Sequence, residues 1–386
     1  MIKLRHIGGM LLAAPVLWAC TDDSYRGYEK SYEEYDIPME VKVSVGDPYA
    51  MGSKGSGPIE TLDGFAGKQI HVWAFNRNEE TSFTSTRTAK DSIQCLADGK
   101  IALLDGTNAL AEWEDTPVYY PLGDLCAERF DFFAAFLDGS AIEDVQRSPS
   151  RVRTYITIDG SQDVMYSKAD LPKMKSGADK PYAFSYLSAI DGNDPVFTMH
   201  HALVCVDLWV MPGITKDFTN KVVINSAALN ARTRVLLTVA DKDPEGLGAS
   251  FDENGAKDFL LLTEEDGSPL QPVELTTLQG DPYDEALRSE QQRQATKLGA
   301  SFFVSPETLY RLRMDIQPVD GEPDRPARAP VEADVKLLSG QTFLCGNRYR
   351  VVMSIYGEYA VVNQVSMIDW EDGGSFVIDR DQNPSD

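Results

Sequence analysis

The segment at positions 39–45 reads Met39-Glu40-Val41-Lys42-Val43-Ser44-Val45, and its apolar and polar side chains alternate without interruption. Alternation with a period of two is the pattern of a β-strand that buries one face and exposes the other. The side chains of Met39, Val41, Val43 and Val45 are therefore predicted to point into a hydrophobic core.

Strand-like runs rich in Val, Ile, Phe and Tyr recur along the chain, with Gly, Pro, Asn and Asp between them. They favour an all-β protein made of β-sandwiches. Strand and helix patterns do not alternate regularly, which disfavours a parallel nucleotide-binding sheet. One surface helix is predicted at Tyr283–Leu298. The predicted strands are Gln69–Phe75, Arg129–Phe136, Val152–Ile158, Phe197–Val210, Lys221–Asn225, Arg234–Val239, Phe302–Ile316, Tyr349–Tyr356 and Val361–Ile368.

The length of the chain predicts two domains. Its 386 residues are more than a single hydrophobic core usually organises. The loop Ser188–Pro195 contains Gly, Asn, Asp and Pro and is the best candidate boundary. We therefore predict an N-terminal domain at 37–193 and a C-terminal domain at 194–386.

The charge of the chain argues against nucleic acid as a partner. The formal net charge is −24, and the sequence shows no local basic patch. A field of this sign repels phosphate groups. We therefore expect no nucleic-acid binding.

The first twenty residues have the layout of an export signal. Lys3 and Arg5 precede an apolar run, Ile7–Trp18, that is too short to span a bilayer. The sequence Leu17-Trp18-Ala19-Cys20 then resembles the lipobox of bacterial lipoproteins. Cleavage before Cys20 and acylation of that residue, for instance with palmitate, are predicted. Positions 1–19 would then be the signal peptide and 20–36 a lipidated tether on a membrane.

Four cysteines follow the lipobox, namely Cys95, Cys126, Cys205 and Cys345. An even number in an oxidising compartment permits disulfides, but the spacing does not fix a pairing. No CxxC pair occurs, which argues against a zinc site. Cys205 lies within an apolar run and is expected to be a small buried side chain.

The sequence lacks the common catalytic and nucleotide-binding motifs. G-x-S-x-G, H-E-x-x-H and G-x-x-x-x-G-K-[ST] are all absent, and the 60 acidic residues make any choice of a catalytic carboxylate pair arbitrary. Adjacent residues of a strand point to opposite faces, so structural roles are favoured for His200 and His201. We therefore expect no enzymatic activity and no cofactor.

One acidic loop partly matches a calcium-binding template. Asp241, Asp243, Glu245, Gly246 and Asp252 fall at positions 1, 3, 5, 6 and 12 of that template. A proline inside the loop and a strand-like segment before it weaken the match. A solvated turn is the favoured interpretation, calcium is the weaker alternative, and no other metal site is predicted.

Several separated segments carry a family resemblance. Their most characteristic parts are an aromatic-aromatic-Pro element, an F-F-A strand, a D-x-[LM]-Y element, an F-x-H-A-L strand and a terminal hairpin with a tryptophan. The segments are Lys54–Ile59, Gly67–Phe75, Tyr119–Pro121, Phe130–Phe136, Asp163–Tyr166, Phe197–Leu203 and Gly346–Trp370. In this order, in a lipoprotein of this length, they resemble the fimbrillins, the pilus subunits of Bacteroidales bacteria.

The resemblance implies two transthyretin-like Greek-key β-sandwich domains in tandem and a structural subunit of a cell-surface fimbria. In such pilins a protease removes the N-terminal strand, and an extended strand of a neighbouring subunit fills the groove. Met39, Val41, Val43 and Val45 would form the removable strand. Other fimbrial subunits would be partners, and the chain would occur at the cell surface, as an outer membrane lipoprotein and in the fimbrium.

Two features depart from the family pattern. Cleavage in the family commonly follows an Arg, whereas only Lys54 and Lys68 are basic between positions 45 and 70, so Lys54 is the candidate processing site. The tail after position 370 has one alternating apolar pair, Phe376 and Ile378, as candidate donor strand. These departures favour a tip or accessory subunit that contacts a host or bacterial receptor. The sequence does not decide between a stalk subunit and a tip subunit. The alternative is a non-polymerising surface lipoprotein that binds glycan or protein.

Overall fold

A computed structural model of the chain describes most of the residues from position 39 to position 368. The described residues are 39–45, 65, 67–76, 93–103, 109–113, 119–120, 129–140, 142–148, 151–170, 184–190, 192–241, 246–319, 330–357 and 360–368. Within them, no helix is long and apolar enough to cross a membrane.

The described part of the chain is all-β, as the sequence predicted. Its two helices are α1 (Tyr186–Ile190) and α2 (Glu285–Arg293). Its strands are β1 (Lys42–Val45), β2 (Gln69–Asn76), β3 (Ile93–Leu103), β4 (Ala109–Trp113), β5 (Phe130–Phe136), β6 (Ile142–Ser148), β7 (Arg151–Thr157), β8 (Met165–Lys168), β9 (Val196–His201), β10 (Val204–Pro212), β11 (Ile214–Thr215), β12 (Lys221–Arg232), β13 (Arg234–Asp241), β14 (Gly248–Ser250), β15 (Lys257–Leu261), β16 (Val273–Thr276), β17 (Leu278–Gln279), β18 (Thr296–Val304), β19 (Tyr310–Pro318), β20 (Val331–Val335), β21 (Arg348–Ile355) and β22 (Ala360–Ile368).

Seven of these strands close into a ring in the order β1-β4-β3-β2-β5-β8-β9. Six of its seven pairings are antiparallel, and the pairing of β1 with β9 is parallel. Closure gives each of the seven strands a hydrogen-bonded neighbour on both sides, so the ring has no free edge. β1 is both the first of these strands in the sequence and the one that joins the two ends of the path.

Two further sheets enclose a second core. One has the order β18-β10-β21-β22, and the other has the order β15-β12-β19-β20, with β16 also paired to β12. Leu208 and Val351 of the first sheet and Leu229 and Leu312 of the second belong to one cluster of fully buried side chains. Two sheets that share a core in this way form a β-sandwich.

A four-stranded sheet, β14-β13-β7-β6, connects the two halves of the chain. β7 comes before position 193 and pairs with β13, which comes after it. Buried Phe133 and Ile156 share a cluster with buried Val235 and Phe303. The tandem Greek-key arrangement and its division at 193 and 194 remain predictions.

Two predicted strands are each divided in the structure. The run Phe197–Val210 becomes β9 and β10, because Ala202 N donates to Val164 O and Leu203 O accepts from Gly346 N, both at 2.8 Å. These bonds direct the chain from the ring into the sandwich. The run Phe302–Ile316 is likewise interrupted between β18 and β19, where Glu307 O accepts a hydrogen bond from Phe343 N at 2.9 Å.

The predicted surface helix at Tyr283–Leu298 is confirmed in its central part and is shorter than expected. Asp284 caps its start, with its side chain accepting from Ala286 N at 2.8 Å. The helix ends at Arg293, and Thr296 already pairs with Val210 as part of β18. Pairing in the sheet therefore overrides the helical pattern at the end of the segment.

Candidate strand-exchange site

The candidate site is the position of β1 in the ring. Lys42 and Val43 pair antiparallel with Leu110 and Ala109 of β4. On the other side, the four residues of β1 pair in parallel with Val196–Met199 of β9. If β1 left, the neighbouring edges of β4 and β9 would lose hydrogen-bond partners, and the ring would open at that place.

The inward-pointing residues of the segment are buried as the alternation predicted. Met39 is 3% exposed, and Val41 and Val43 are 0% exposed, whereas Glu40 is exposed and Lys42 is half-buried. Val45 continues the pairing with β9 opposite Met199, and its side chain lies outside the described ones.

The three inward residues pack into one hydrophobic cluster at the centre of the ring. Aromatic side chains make up much of it: the Phe132 ring lies 5.5 Å from Phe184 and 6.4 Å from Tyr120 between centroids. Burial, with a smaller contribution from the charge of Asp194, raises the pKa of Tyr120, so its ring stays neutral. The other members are Met39, Val41, Val43, Phe65, Ile70, Val72, Ala74, Ala134, Phe136, Met165, Ala169, Tyr186, Phe197 and Met199.

Two polar contacts hold the start of β1 to the segment before β9. The backbone N of Lys42 donates to Pro195 O at 2.9 Å. Its Nζ lies 3.1 Å from Asp194 Oδ2, with side chains that are 33% and 16% exposed. An ion pair so accessible to water contributes only about 0–1 kcal/mol. The ion pair therefore adds little to the backbone pairing and the apolar face that hold β1 in the ring.

Several sequence-predicted site residues fall outside the described part of the chain. These are the lipidation candidate Cys20, the processing candidate Lys54, and the donor-strand candidates Phe376 and Ile378. Their assignments remain predictions. The structure does describe the segment 39–45, whose removal by a protease also remains a prediction.

The calcium candidates are only partly described. Asp241 is buried and forms an ion pair with Arg151 Nε. Asp252 is exposed, and its Oδ1 accepts from Asn254 N at 2.9 Å. Asp243 and Glu245 lie outside the described residues. Within the described ranges, no group of three or more acidic, His or Cys residues could hold a metal ion, and the calcium alternative stays untested.

The expected role of Cys205 agrees with its position. Its side chain is 0% exposed, and burial raises the pKa of its thiol well above the ordinary value. A thiol with such a pKa stays protonated and acts as a small apolar group.

His201, for which a structural role was predicted, lies at the end of β9. Its Nδ1 is 2.8 Å from Asp163 Oδ1, and this contact anchors the end of the strand.

Comparison with known proteins gives structural neighbours and no sequence relatives. No protein-family profile matches the chain, and no curated protein matches it. A candidate cell adhesion protein from Bacteroides uniformis is 15% identical, with a TM-score of 0.44, and the match covers 86% of this chain and 98% of that one. A fimbrial protein from Bacteroides vulgatus is 11% identical, with a TM-score of 0.44 and coverages of 86% and 99%. The fimbrial anchor protein Mfa2 from Porphyromonas gingivalis is 12% identical, with a TM-score of 0.33 and coverages of 86% and 98%. These three solved structures, to which this chain is similar, are fimbrial and cell adhesion proteins of Bacteroidales.

Proposed function

We propose that the protein is a structural subunit of a cell-surface fimbria that assembles by protease-triggered donor-strand exchange. The observation that carries the proposal is the position of β1, which closes the ring between antiparallel β4 and parallel β9. After proteolysis, an extended strand of a neighbouring subunit would replace β1 by strand addition.

The position of β1 in the sequence makes it separable. β1 precedes the other strands of the ring, so one cut between β1 and β2 frees it from the remaining six. Any other strand of the ring would need two cuts to be released, because the chain continues to further strands at both of its ends. Lys54 lies between β1 and β2 and is the proposed processing site.

The energy of burial explains why a replacement strand would be required. Burying the side chains of Met39, Val41 and Val43 contributes roughly 5–9 kcal/mol at about 1.5–3 kcal/mol each. That amount is comparable with the whole stability of a typical domain, about 5–15 kcal/mol. A ring without β1 would therefore bind an incoming strand with a similar apolar alternation, or else lose its stability.

The remaining assignments complete the proposal. Acylation of Cys20 would hold the precursor on the outer membrane, and Phe376 and Ile378 would form the donor strand for another subunit. A donor strand with only one apolar pair is short. The subunit is therefore proposed to occupy either a position in the stalk or a tip or accessory position that mediates adhesion. No catalytic role is assigned.

The test uses the whole chain with Cys20→Ser, which removes the predicted acylation site. Limited trypsin digestion is followed by N-terminal sequencing, size-exclusion chromatography and electron microscopy. We expect a new N-terminus after Lys54 and then ladders or filaments. Cleavage after Lys54 that leaves only monomers would overturn self-assembly and favour a terminal subunit or a binding lipoprotein. Resistance of the segment to cleavage would overturn Lys54 as the processing site.

A further inference from the structure

A cleft of about 700 Å³ lies beside the sheet β14-β13-β7-β6, outside the ring. Side chains from β7, the end of β12, β13, β14 and the following loop line it, among them Tyr155, Arg232, Arg234, Ser250, Phe251 and Asp252. The opposite face of β7 and β13 carries the buried side chains Ile156, Val235 and Leu237. The cleft is thus lined mainly by residues of β7 and β13 that face away from this core, together with the loop after β14.

The size and lining of the cleft suit a small organic ligand. Pockets for such ligands typically have volumes of about 300–1,000 Å³ and combine apolar walls with a few polar groups. Phe251 and Leu236 supply half-buried apolar surface, and Tyr155 supplies an aromatic ring. The position on paired strands holds these groups at fixed separations.

The two arginines of the cleft already have carboxylate partners. The Arg234 guanidinium lies 4.0 Å above the Tyr155 ring, and its Nε is 3.4 Å from Glu143 Oε2. Arg232 Nη1 lies 2.8 Å from Glu307 Oε1. An anionic ligand would have to compete with both carboxylates and with a net charge of −24 on the chain. The electrostatics therefore disfavour an acidic ligand.

Hydrogen-bonding capacity remains in the cleft. The guanidinium of exposed Arg234 carries five N–H donors, more than its contact with Glu143 uses. Asp252 Oδ1 accepts one bond from Asn254 N, and a carboxylate can accept several more. Ser250 Oγ donates to Leu236 O at 3.1 Å and keeps its acceptor sites. The cleft thus offers both donors and acceptors.

We infer that this cleft binds a neutral saccharide. Sugar hydroxyls both donate and accept hydrogen bonds, which matches Arg234, Ser250 and Asp252. The C–H faces of a sugar ring can pack on the apolar walls that Phe251 and Leu236 form. The inference goes beyond strand exchange and does not depend on it, because the cleft lies outside the ring that contains β1.

The test is a binding titration of the whole chain carrying Cys20→Ser. The probes are neutral disaccharides of glucose, galactose, mannose and N-acetylglucosamine, with a uronic-acid disaccharide for comparison, each up to about 10 mM, since weak ligands bind near the millimolar range. Tyr155→Leu removes the ring beneath Arg234, and Ala256→Trp fills the cleft from an exposed position. The matched control is Tyr283→Leu, which removes a 77% exposed tyrosine that contacts Arg288 on α2.

We expect saturable binding of at least one neutral disaccharide. The affinity should fall about tenfold or more in Tyr155→Leu and in Ala256→Trp, and it should be unchanged in Tyr283→Leu. No binding of any neutral probe would overturn the inference, and so would binding that both cleft variants retain. Binding of the uronic-acid probe alone, weakened by salt, would overturn the assignment to a neutral ligand.

Discussion

Val43 of β1 lies opposite Phe197 of β9 in parallel register, and both side chains are 0% exposed. The two residues are separated by most of the N-terminal half of the chain. Their pairing joins the first described strand of the ring to the last one, and it is the contact that strand exchange would have to break and remake.

The buried face of β1 should contribute measurably to stability. Val43→Ala removes two methyl groups from the core and should lower the free energy of unfolding by about 2 kcal/mol. Urea denaturation monitored by tryptophan fluorescence measures the change. The control is Val196→Ala in β9, because Val196 is 36% exposed and should cost less than about 0.5 kcal/mol. Equal effects of the two substitutions would show that β1 does not belong to the core.

A covalent link between β1 and β9 should block assembly. Lys42 and Val196 are register partners in neighbouring strands, which lie about 4.8 Å apart and within the Cα range of a disulfide, about 4.4–6.8 Å. Oxidised Lys42→Cys with Val196→Cys should therefore be cut by trypsin but remain monomeric. Reduction should restore oligomers, so the same protein is its own control. Oligomers formed with the disulfide intact would exclude release of β1 from the mechanism.

Processing should depend on Lys54. Only Lys54 and Lys68 are tryptic sites between positions 45 and 70. Lys54→Gln should abolish cleavage in that segment and with it the formation of oligomers. Lys68 should resist trypsin, because its Nζ is 2.9 Å from Asp138 Oδ1 and 5.3 Å from the Phe136 ring centroid. Lys68→Gln is therefore the control, and this variant should still be cut at Lys54. N-terminal sequencing distinguishes the sites, and cleavage of Lys54→Gln at an unchanged rate would contradict the assignment.

The buried carboxylate of Asp207 should make stability depend on pH. Burial alone would raise its pKa, but Lys297, Arg348 and the hydroxyl of Ser301 outweigh burial and lower the pKa below the ordinary value. Arg348 Nε lies 2.8 Å from Asp207 Oδ2. Because the folded state has the lower pKa, this stabilisation is fully present above the unfolded value of about 3.9 and is lost as the pH falls through the folded value.

Asp207→Asn tests this dependence. It leaves buried Arg348 and half-buried Lys297 with less compensation and should lower stability at pH 7 by about 3–5 kcal/mol. Its free energy of unfolding should then change less between pH 7 and strongly acidic solution than that of the wild type. Asp217→Asn, at an exposed bend, is the control and should leave the profile nearly unchanged. Parallel pH profiles for Asp207→Asn and the wild type would refute the role of this carboxylate.

The local sequence predicted the strands whose patterns are strong. Alternation identified the buried face of β1, and apolar composition identified β2, β5, β7 and β21 to within one or two residues. Weaker elements were missed, such as β6, whose described side chains are mostly exposed, and the short strands β11, β14 and β17. Their patterns are weak because they bury few side chains or contain few residues.

The cleft could not be predicted from the sequence. Tyr155 and Arg234 lie on different strands and meet because β7 pairs with β13 in a register that places Leu236 opposite Tyr155. No spacing along the chain encodes that contact. The ion pair between Arg232 and Glu307 could not be predicted either, because the two residues lie far apart in the sequence, at the end of β12 and in the loop before β19.

The sequence by itself determined that this chain is all-β and which face of the segment Met39–Val45 is apolar. The period of side-chain alternation is a local property of the backbone, so a few consecutive residues are enough to fix it. Only the tertiary structure decided that β1 closes a ring between β4 and β9. Strand pairing is a choice among many distant edges, and packing of the complete core makes that choice.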